Sequence, residues 1–224
     1  MSKVISLIDF GAGNLHSVNK ALKFVGANIE ITNDETVIEK SDAVIFPGVG
    51  AFGSVMKSVR ENNLESIIKK SALSGKSFLG ICVGMQVLFE SGEENPDTPG
   101  HRVFKGKVVK LKKAKKIPHI GWNDIVRCHP ELKVKDLDPK LDSSLAPSLH
   151  SGLRLRMTLD DKFYFVHSYY VVPEDKNLIY AKSNYDGEEF CSAVKRDNLL
   201  AVQFHPEKSG DAGLDFLLDF VRKV

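Results

Sequence analysis

The chain lacks most of what would mark a specialised environment. Its 224 residues include three cysteines, four methionines and one tryptophan. Cys82, Cys128 and Cys191 are odd in number with no close pair, which argues against a disulfide framework or a zinc site and points to a reducing cytoplasm. Charge of one sign is missing too: 31 Lys and Arg against 29 Asp and Glu leave a formal net charge of +2. No strong field therefore calls for nucleic acid or a membrane surface. The apolar opening, Val4 to Ile8, is too short and too soon broken for a signal peptide or a membrane span. There is no internal repeat and no convincing domain boundary, so a single domain over residues 1–224 is expected, of ordinary soluble globular composition.

The first half alternates strands and helices. Val4–Asp9, Asn28–Ile31, Ala43–Phe46 and Ser77–Ile81 read as buried strands. Helices are expected around Val18, Leu22 and Val25, stopped by Gly26, and from about Ser54 to Ser74 with a break near Asn62-Asn63. This pattern predicts a parallel sheet with right-handed crossovers. After a loop at Glu93–Gly100 the reading changes. Val103–Leu111, Phe163–Val172, Leu178–Ser183, Phe190–Lys195 and Leu199–Phe204 read as strands in succession, with turns at Asp186-Gly187 and Asp197-Asn198. A closing helix spans Leu214–Val221. The fold class expected is α/β: an open, mostly parallel sheet flanked by helices, with an antiparallel extension. The lysine-rich stretch Lys105–Lys116 reads as a solvated strand face. Residues 127–161, rich in proline, charge and serine, read as a variable insertion.

The most informative segment is Gly80-Ile81-Cys82-Val83-Gly84, which follows Phe78-Leu79 and leads into Met85–Phe89. It reads as a strand, a tight turn with cysteine at its tip, and a helix: a nucleophile elbow, where flanking side chains would clash and a strained backbone lifts the reactive atom clear. At a helix N-terminus the thiolate would also meet unpaired N–H groups. Alone, the pentapeptide fits a buried cysteine between glycines equally well.

The distant segment Val202-Gln203-Phe204-His205-Pro206-Glu207 changes the balance. A cysteine nucleophile needs a base, and the base needs an orienting group. His205 lies just past a predicted strand end and Glu207 two residues on, with Pro206 stiffening the link. In an open α/β sheet reactive groups gather at the carboxyl ends of strands, where Cys82 and His205 both fall. Acyl transfer at sulfur creates an oxyanion. The Val83 N–H is one natural donor, and the Pro47-Gly48-Val49-Gly50 turn could present a second from Val49 or Gly50.

Together Pro47-Gly-Val-Gly50, Gly80-Ile-Cys-Val-Gly-Met-Gln86 and His205-Pro-Glu207 resemble the class I (triad) glutamine amidotransferases. Asp9-Phe-Gly-Ala-Gly-Asn14, Gly48-Val-Gly-Ala-Phe52, Pro118-His-Ile-Gly-Trp-Asn123, Phe165-Val-His-Ser-Tyr169 and His205-Pro-Glu-Lys-Ser-Gly210 narrow the likeness to the glutaminase subunits of imidazole glycerol phosphate synthase, of histidine biosynthesis. The resemblance implies a Cys82–His205–Glu207 triad that hydrolyses glutamine without cofactor or metal. Gly48, Gln86, Glu94 and backbone at Ser168 and Tyr169 would hold the substrate. It also implies a heterodimer with a (β/α)8-barrel cyclase subunit that receives the ammonia, with Trp122, Asn123, Tyr164 and Lys208 near the interface. Ala12 stands where some members carry proline. Two other readings stand beside this one: a paralogous glutaminase supplying ammonia for acetamidino sugars of surface polysaccharides, and a non-catalytic regulatory module that keeps only the fold.

Overall fold

The structure, a computed structural model, describes residues 3–128 and 162–224. Most of the 127–161 segment thus lies outside the described residues. Four strands of the first half are β1 (Ile5–Ile8), β2 (Ile29–Thr32), β3 (Ala43–Gly48) and β4 (Ser77–Cys82). Between them run α1 (Leu15–Phe24), α2 (Glu35–Lys40), α3 (Phe52–Glu61) and α4 (Glu65–Leu73). The short α5 (Val83–Gln86) and β5 (Ser91–Gly92) follow, then β6 (Gly106–Lys110), β7 (His119–Asp124) and β8 (Val126–Arg127). The rest comprises β9 (Lys162–His167), β10 (Tyr169–Pro173), β11 (Ile179–Tyr185), β12 (Glu188–Arg196), β13 (Leu199–Val202) and α6 (Gly210–Lys223).

The main sheet runs β2-β1-β3-β4-β13-β12-β10-β6-β5, and β11 pairs with both β12 and β8. From β2 to β13 every pairing is parallel. The β13–β12, β12–β10 and β10–β6 pairings are antiparallel. The expected architecture of a parallel sheet with an antiparallel extension is therefore the observed one. β1, β3 and most of β4 are buried on both faces, which explains why they read as continuous apolar runs. The chain leaves β1 in one direction and returns from β2 in the other. Right-handed crossovers then put α1 and α2 on opposite faces. Accordingly α1 packs against α6, and α2 against α4.

Local chemistry accounts for the helix boundaries. Asn14 Oδ1 accepts the Ser17 N–H at 3.3 Å and starts α1. Asp34 Oδ1 accepts the Thr36 and Val37 N–H groups at 2.7 and 3.3 Å and starts α2. The break foreseen near Asn62-Asn63 separates α3 from α4, with Asn63 at φ 57°. The turn at Asp186-Gly187 has both residues at positive φ, 50° and 82°, the geometry that matches a twisted hairpin.

Four readings need correction. Phe163–Val172 is two strands, not one: β9 leaves the main sheet, and β10 begins beyond Ser168. β9 pairs antiparallel with β7 in a separate ribbon, which sequence reading had taken only as a motif. α2 was also missed, being six residues long. The helix after Cys82 stops at Gln86 rather than reaching Phe89.

The ribbon is held by aromatic packing. Phe163 and Phe165 on its inner face are fully buried. Phe163 lies 4.2 Å from Phe204, centroid to centroid, and Phe165 is edge-on to Phe204 and Phe190 at 5.8 and 5.7 Å. Such pairs add to the burial energy of the rings. Truncating Phe165 to Ala would open a cavity between ribbon and sheet. Phe165→Ala should lower the free energy of unfolding by about 3–5 kcal/mol, read from the denaturant midpoint at unchanged slope.

Candidate active site

Cys82 ends β4 at φ 54° and ψ −113°, a region that a side chain enters only under strain, of order 1–3 kcal/mol. The neighbours of the turn explain how it is held. A β-carbon on Gly84 would lie 2.1 Å from the Phe46 carbonyl oxygen, and one on Gly48 would lie 2.4 Å from the Gly84 nitrogen. The ends of β3 and β4 thus touch backbone to backbone, in a register that pairs Gly48 with Cys82. Gly80 is less constrained, since a β-carbon there would meet the Ala201 methyl at 3.1 Å.

His205 follows β13, one strand over from β4. It is 1% exposed, and its Nδ1 lies 2.8 Å from Glu207 Oε1. The turn Pro206–Lys208 that carries Glu207 packs on α6, where a β-carbon on Gly213 would lie 1.9 Å from the Pro206 carbonyl. The His205 N–H donates to the Tyr164 carbonyl at 2.9 Å, and its carbonyl accepts the Ser209 hydroxyl at 2.6 Å. Ser209 Oγ in turn accepts the Tyr164 N–H at 2.9 Å. The ribbon therefore grips the backbone of the histidine.

With Nδ1 engaged by Glu207, Nε2 is the nitrogen left for Cys82. It makes no full hydrogen bond. Cys82 nevertheless acts on the ring both as a charge and as a hydrogen-bond partner, so the sulfur sits beside it at looser than bonding geometry. Catalytic contacts commonly tighten only once substrate binds. Burial disfavours the imidazolium, but Cys82 and then Glu207 outweigh it and raise His205 from 6.5 to about 10. By contrast, burial pushes the Cys191 thiol up to about 12, which keeps it protonated and inert.

The other expected site residues fall into three groups. Val49 and Gly50 lie just past the end of β3, and Gly50 has φ 105° with nothing within 4 Å of where its β-carbon would be. Val83 follows Cys82 directly, and Gly48, the residue before Val49, pairs with Cys82 in the sheet. Gln86, 4% exposed, donates from Nε2 to the Tyr169 carbonyl and to Gln203 Oε1, both at 3.0 Å. The Tyr169 carbonyl also takes the His167 ring at 3.0 Å, and the Ser168 carbonyl takes the Leu111 N–H at 2.9 Å. Backbone at Ser168 and Tyr169 thus has its carbonyls committed inside the protein. Glu94 accepts the Phe52 N–H at 2.8 Å, and Asn95 accepts that of Gly53 at 2.9 Å. They cap α3, whose own preceding residue, Ala51, cannot. Burial, followed by the charges of Glu94 and Glu93, raises the Tyr169 phenol.

Trp122 and Tyr164 pair across the ribbon with rings edge to face at 6.0 Å. Trp122 is 55% exposed, as is Ile120 on the same face. Lys208 is exposed in the turn that carries Glu207, and its N–H donates to the His205 carbonyl at 3.0 Å. Asn123 is on the other face of β7, where it donates to the Asn184 carbonyl at 2.9 Å. Sequence reasoning assigned no role to Gln203, which donates from Nε2 to Cys82 Sγ at 3.7 Å. Its place as the one polar residue of the run Leu199–Phe204, two positions before His205, was the available signal. Among the described residues no group of three or more His, Cys, Asp or Glu side chains could hold a metal ion. Nor is any helix among them long and apolar enough to cross a membrane.

Residues 6–224 match the family described as Glutamine amidotransferase class-I. The imidazole glycerol phosphate synthase subunit HisH of Aquifex aeolicus is 44% identical over 219 residues, 97% of this chain and 96% of that protein. The subunit of the same name from Methanothermobacter thermautotrophicus is 39% identical, over 99% of each chain. Among solved structures, a crystal structure of a glutamine amidotransferase superposes with a TM-score of 0.66 at 19% identity, covering 97% of this chain and 98% of that one. The glutaminase domain of Trypanosoma brucei CTPS superposes at 0.56 and 14% identity, over 99% of this chain and 94% of that one. At these identities the superpositions speak for the fold.

The histidine offers a direct check. Its ring should titrate near pH 10 by NMR, far above the ordinary 6.5. Cys82→Ala removes the leading upward contribution, so the midpoint should fall; an unchanged midpoint would separate the two residues.

Proposed function

From the premise that the chain belongs to the class I glutamine amidotransferases, and within them to the family of imidazole glycerol phosphate synthase HisH subunits, we propose how its residues carry out glutamine hydrolysis. The chain is the glutaminase subunit of that synthase, in histidine biosynthesis. The observation that carries the mechanism is the His205–Glu207 hydrogen bond on a ring that feels Cys82, with the cysteine in a strained elbow.

The Cys82 thiolate attacks the side-chain carbonyl carbon of glutamine. As the C–S bond forms, charge moves to the carbonyl oxygen, which the Val83 N–H and an N–H of Val49 or Gly50 receive. The C–N bond then breaks, and the His205 imidazolium gives its proton to the departing nitrogen, releasing ammonia and leaving a γ-glutamyl thioester. Neutral His205 next takes a proton from water, whose oxygen attacks the thioester. The C–S bond breaks and glutamate leaves. Glu207 keeps the ring oriented and offsets its charge throughout. Gly48, Gln86, Glu94 and backbone N–H groups near Ser168 and Tyr169 line the glutamine pocket.

Ammonia released to water at neutral pH becomes ammonium, which is no nucleophile, so it must pass directly to an acceptor. The partner in this proposal is a cyclase subunit with a (β/α)8 barrel, forming a heterodimer in the cytoplasm. It combines ammonia with a phosphorylated aminoimidazole-carboxamide ribulotide to give imidazole glycerol phosphate and an aminoimidazole carboxamide ribotide. Ile120, Trp122 and Tyr164 offer an exposed apolar face for docking. Lys208 adds charge beside it, and Asn123 supports the strand from behind.

Two variants test this. Cys82→Ala should abolish glutamine hydrolysis, while the complex with the cyclase still makes product from free ammonium salts; retained hydrolysis would sink the assignment. Trp122→Ala should weaken binding of the cyclase by about 2 kcal/mol, measured by calorimetry.

A further inference from the structure

The ribbon and the nucleophile are joined by buried polar side chains of which the mechanism above uses only Gln86. Starting at the sulfur, Gln203 Nε2 lies 3.7 Å from Cys82 Sγ, and Gln203 Oε1 lies 3.0 Å from Gln86 Nε2. Gln86 Nε2 also donates to the Tyr169 carbonyl at 3.0 Å. That carbonyl takes His167 Nδ1 at 3.0 Å, and His167 Nε2 lies 3.1 Å from His119 Nδ1. Asn123 Nδ2 reaches His119 Nε2 at 3.5 Å, the longest link among the nitrogens and oxygens. Gln203, Gln86, His119 and His167 are each 6% exposed or less.

Only one arrangement of hydrogens fits this chain. A backbone carbonyl cannot donate, so both groups facing the Tyr169 oxygen must. This fixes the Gln86 amide with nitrogen toward Tyr169, and the same nitrogen then donates to Gln203. Gln203 must present oxygen to Gln86, which leaves its N–H for the sulfur. On the other branch His167 carries its proton on Nδ1, so Nε2 is bare and accepts from His119 Nδ1. His119 Nε2 is then bare as well and accepts from Asn123. Burial supports this by keeping both rings uncharged: it lowers His119 from 6.5 to about 4, and His167 to about 3. Charging His167 would place a second N–H opposite that of His119.

We propose that Gln203 is a catalytic residue that donates an N–H to the Cys82 sulfur, held in that sense by a relay in which Gln86 donates both to it and to the Tyr169 carbonyl, while His167 and His119 hold that carbonyl from the far side. The inference rests on the reading of Cys82 as nucleophile. Gln203 stabilises the sulfur as an acceptor and fixes its direction for attack. His167 and His119 are positioning residues that anchor the Tyr169 carbonyl against β7. That strand bears Trp122 on its outer face, next to Asn123 at the outer end of the relay.

The test has two arms. In the complex with the cyclase, Gln203→Met replaces the amide by an apolar side chain of similar length. It should lower kcat for glutamine hydrolysis by about tenfold or more, since a hydrogen bond to a charged group contributes about 1.5–3 kcal/mol, while KM stays within about threefold. The unsubstituted complex is run alongside: its hydrolysis of glutamine, together with an unimpaired Gln203→Met, would overturn the relay and leave the glutaminase reading standing. Independently of activity or variant folding, 15N NMR of the unsubstituted chain should find His119 and His167 both neutral with the proton on Nδ1. A proton on Nε2 of either ring would break the chain from His119 through His167 to the Tyr169 carbonyl and overturn the positioning role given to the two rings.

Discussion

The contact on which the site depends is between two backbones. The end of β3 presses against the turn after Cys82 so closely that Gly84 has the Phe46 carbonyl where a β-carbon would be. Gly48 has the Gly84 nitrogen in the same relation. Two glycines, Gly48 at the end of β3 and Gly84 at the start of α5, face each other and let the chain turn within one residue, at Cys82. The positive φ of that residue is otherwise costly for a side chain. The strain is held because β4 is buried and paired on both sides, by β3 and by β13. The same pairing places His205 next to the elbow, since β13 runs parallel to β4 and both chains leave the sheet at the same end.

The second constraint is the ribbon of β7 and β9. It packs its phenylalanines on the sheet, holds the His205 backbone through Tyr164 and Ser209, and reaches the Tyr169 carbonyl through two imidazoles. The ribbon thus reaches both the His205 backbone and the Tyr169 carbonyl, while its outer face is apolar and exposed at Ile120 and Trp122. An isolated ribbon of this kind is marginal in water, and here its inner face depends on the core. Covering the outer face by a partner would stiffen the same backbone that carries the catalytic groups. That is a physical reason for a glutaminase to respond to docking.

Much of this was legible in the residues. The doubly covered strands read as apolar runs, and Asn62-Asn63 marked a helix break because Asn tolerates the left-handed region. The elbow and the His205-Pro206-Glu207 turn carried their chemistry in short, local patterns. What escaped depends on partners far away in the chain. Phe163 to Val172 is aromatic or β-branched on both sides of Ser168, so nothing local shows that this serine divides it between two sheets. β7 alternates Ile120, Trp122 and Asp124 with His119, Gly121 and Asn123, and its buried face is polar enough to hide the strand. The cap of α3 comes from Glu94 and Asn95, more than forty residues on, while Ala51 gives no sign of one. Gln203 looked like one polar residue in a strand until the fold brought it to sulfur.

The two candidate donors for the oxyanion differ in a way that follows from this packing. The Val83 N–H belongs to the elbow, whose backbone is locked against β3. Val49 and Gly50 belong to the free end of β3, where packing stops: Val49 is 36% exposed, and the space beside Gly50 is empty. Gly50 also sits at φ 105°, where a side chain would be strained. One donor is therefore fixed, and the other lies on a segment that can reorient without displacing a neighbour. A glycine suits a peptide that must turn its N–H toward a charge present only during the reaction. Placing that freedom on β3 rather than on β4 leaves the geometry of Cys82 untouched, so the readiness of the oxyanion site can vary while the nucleophile stays in place.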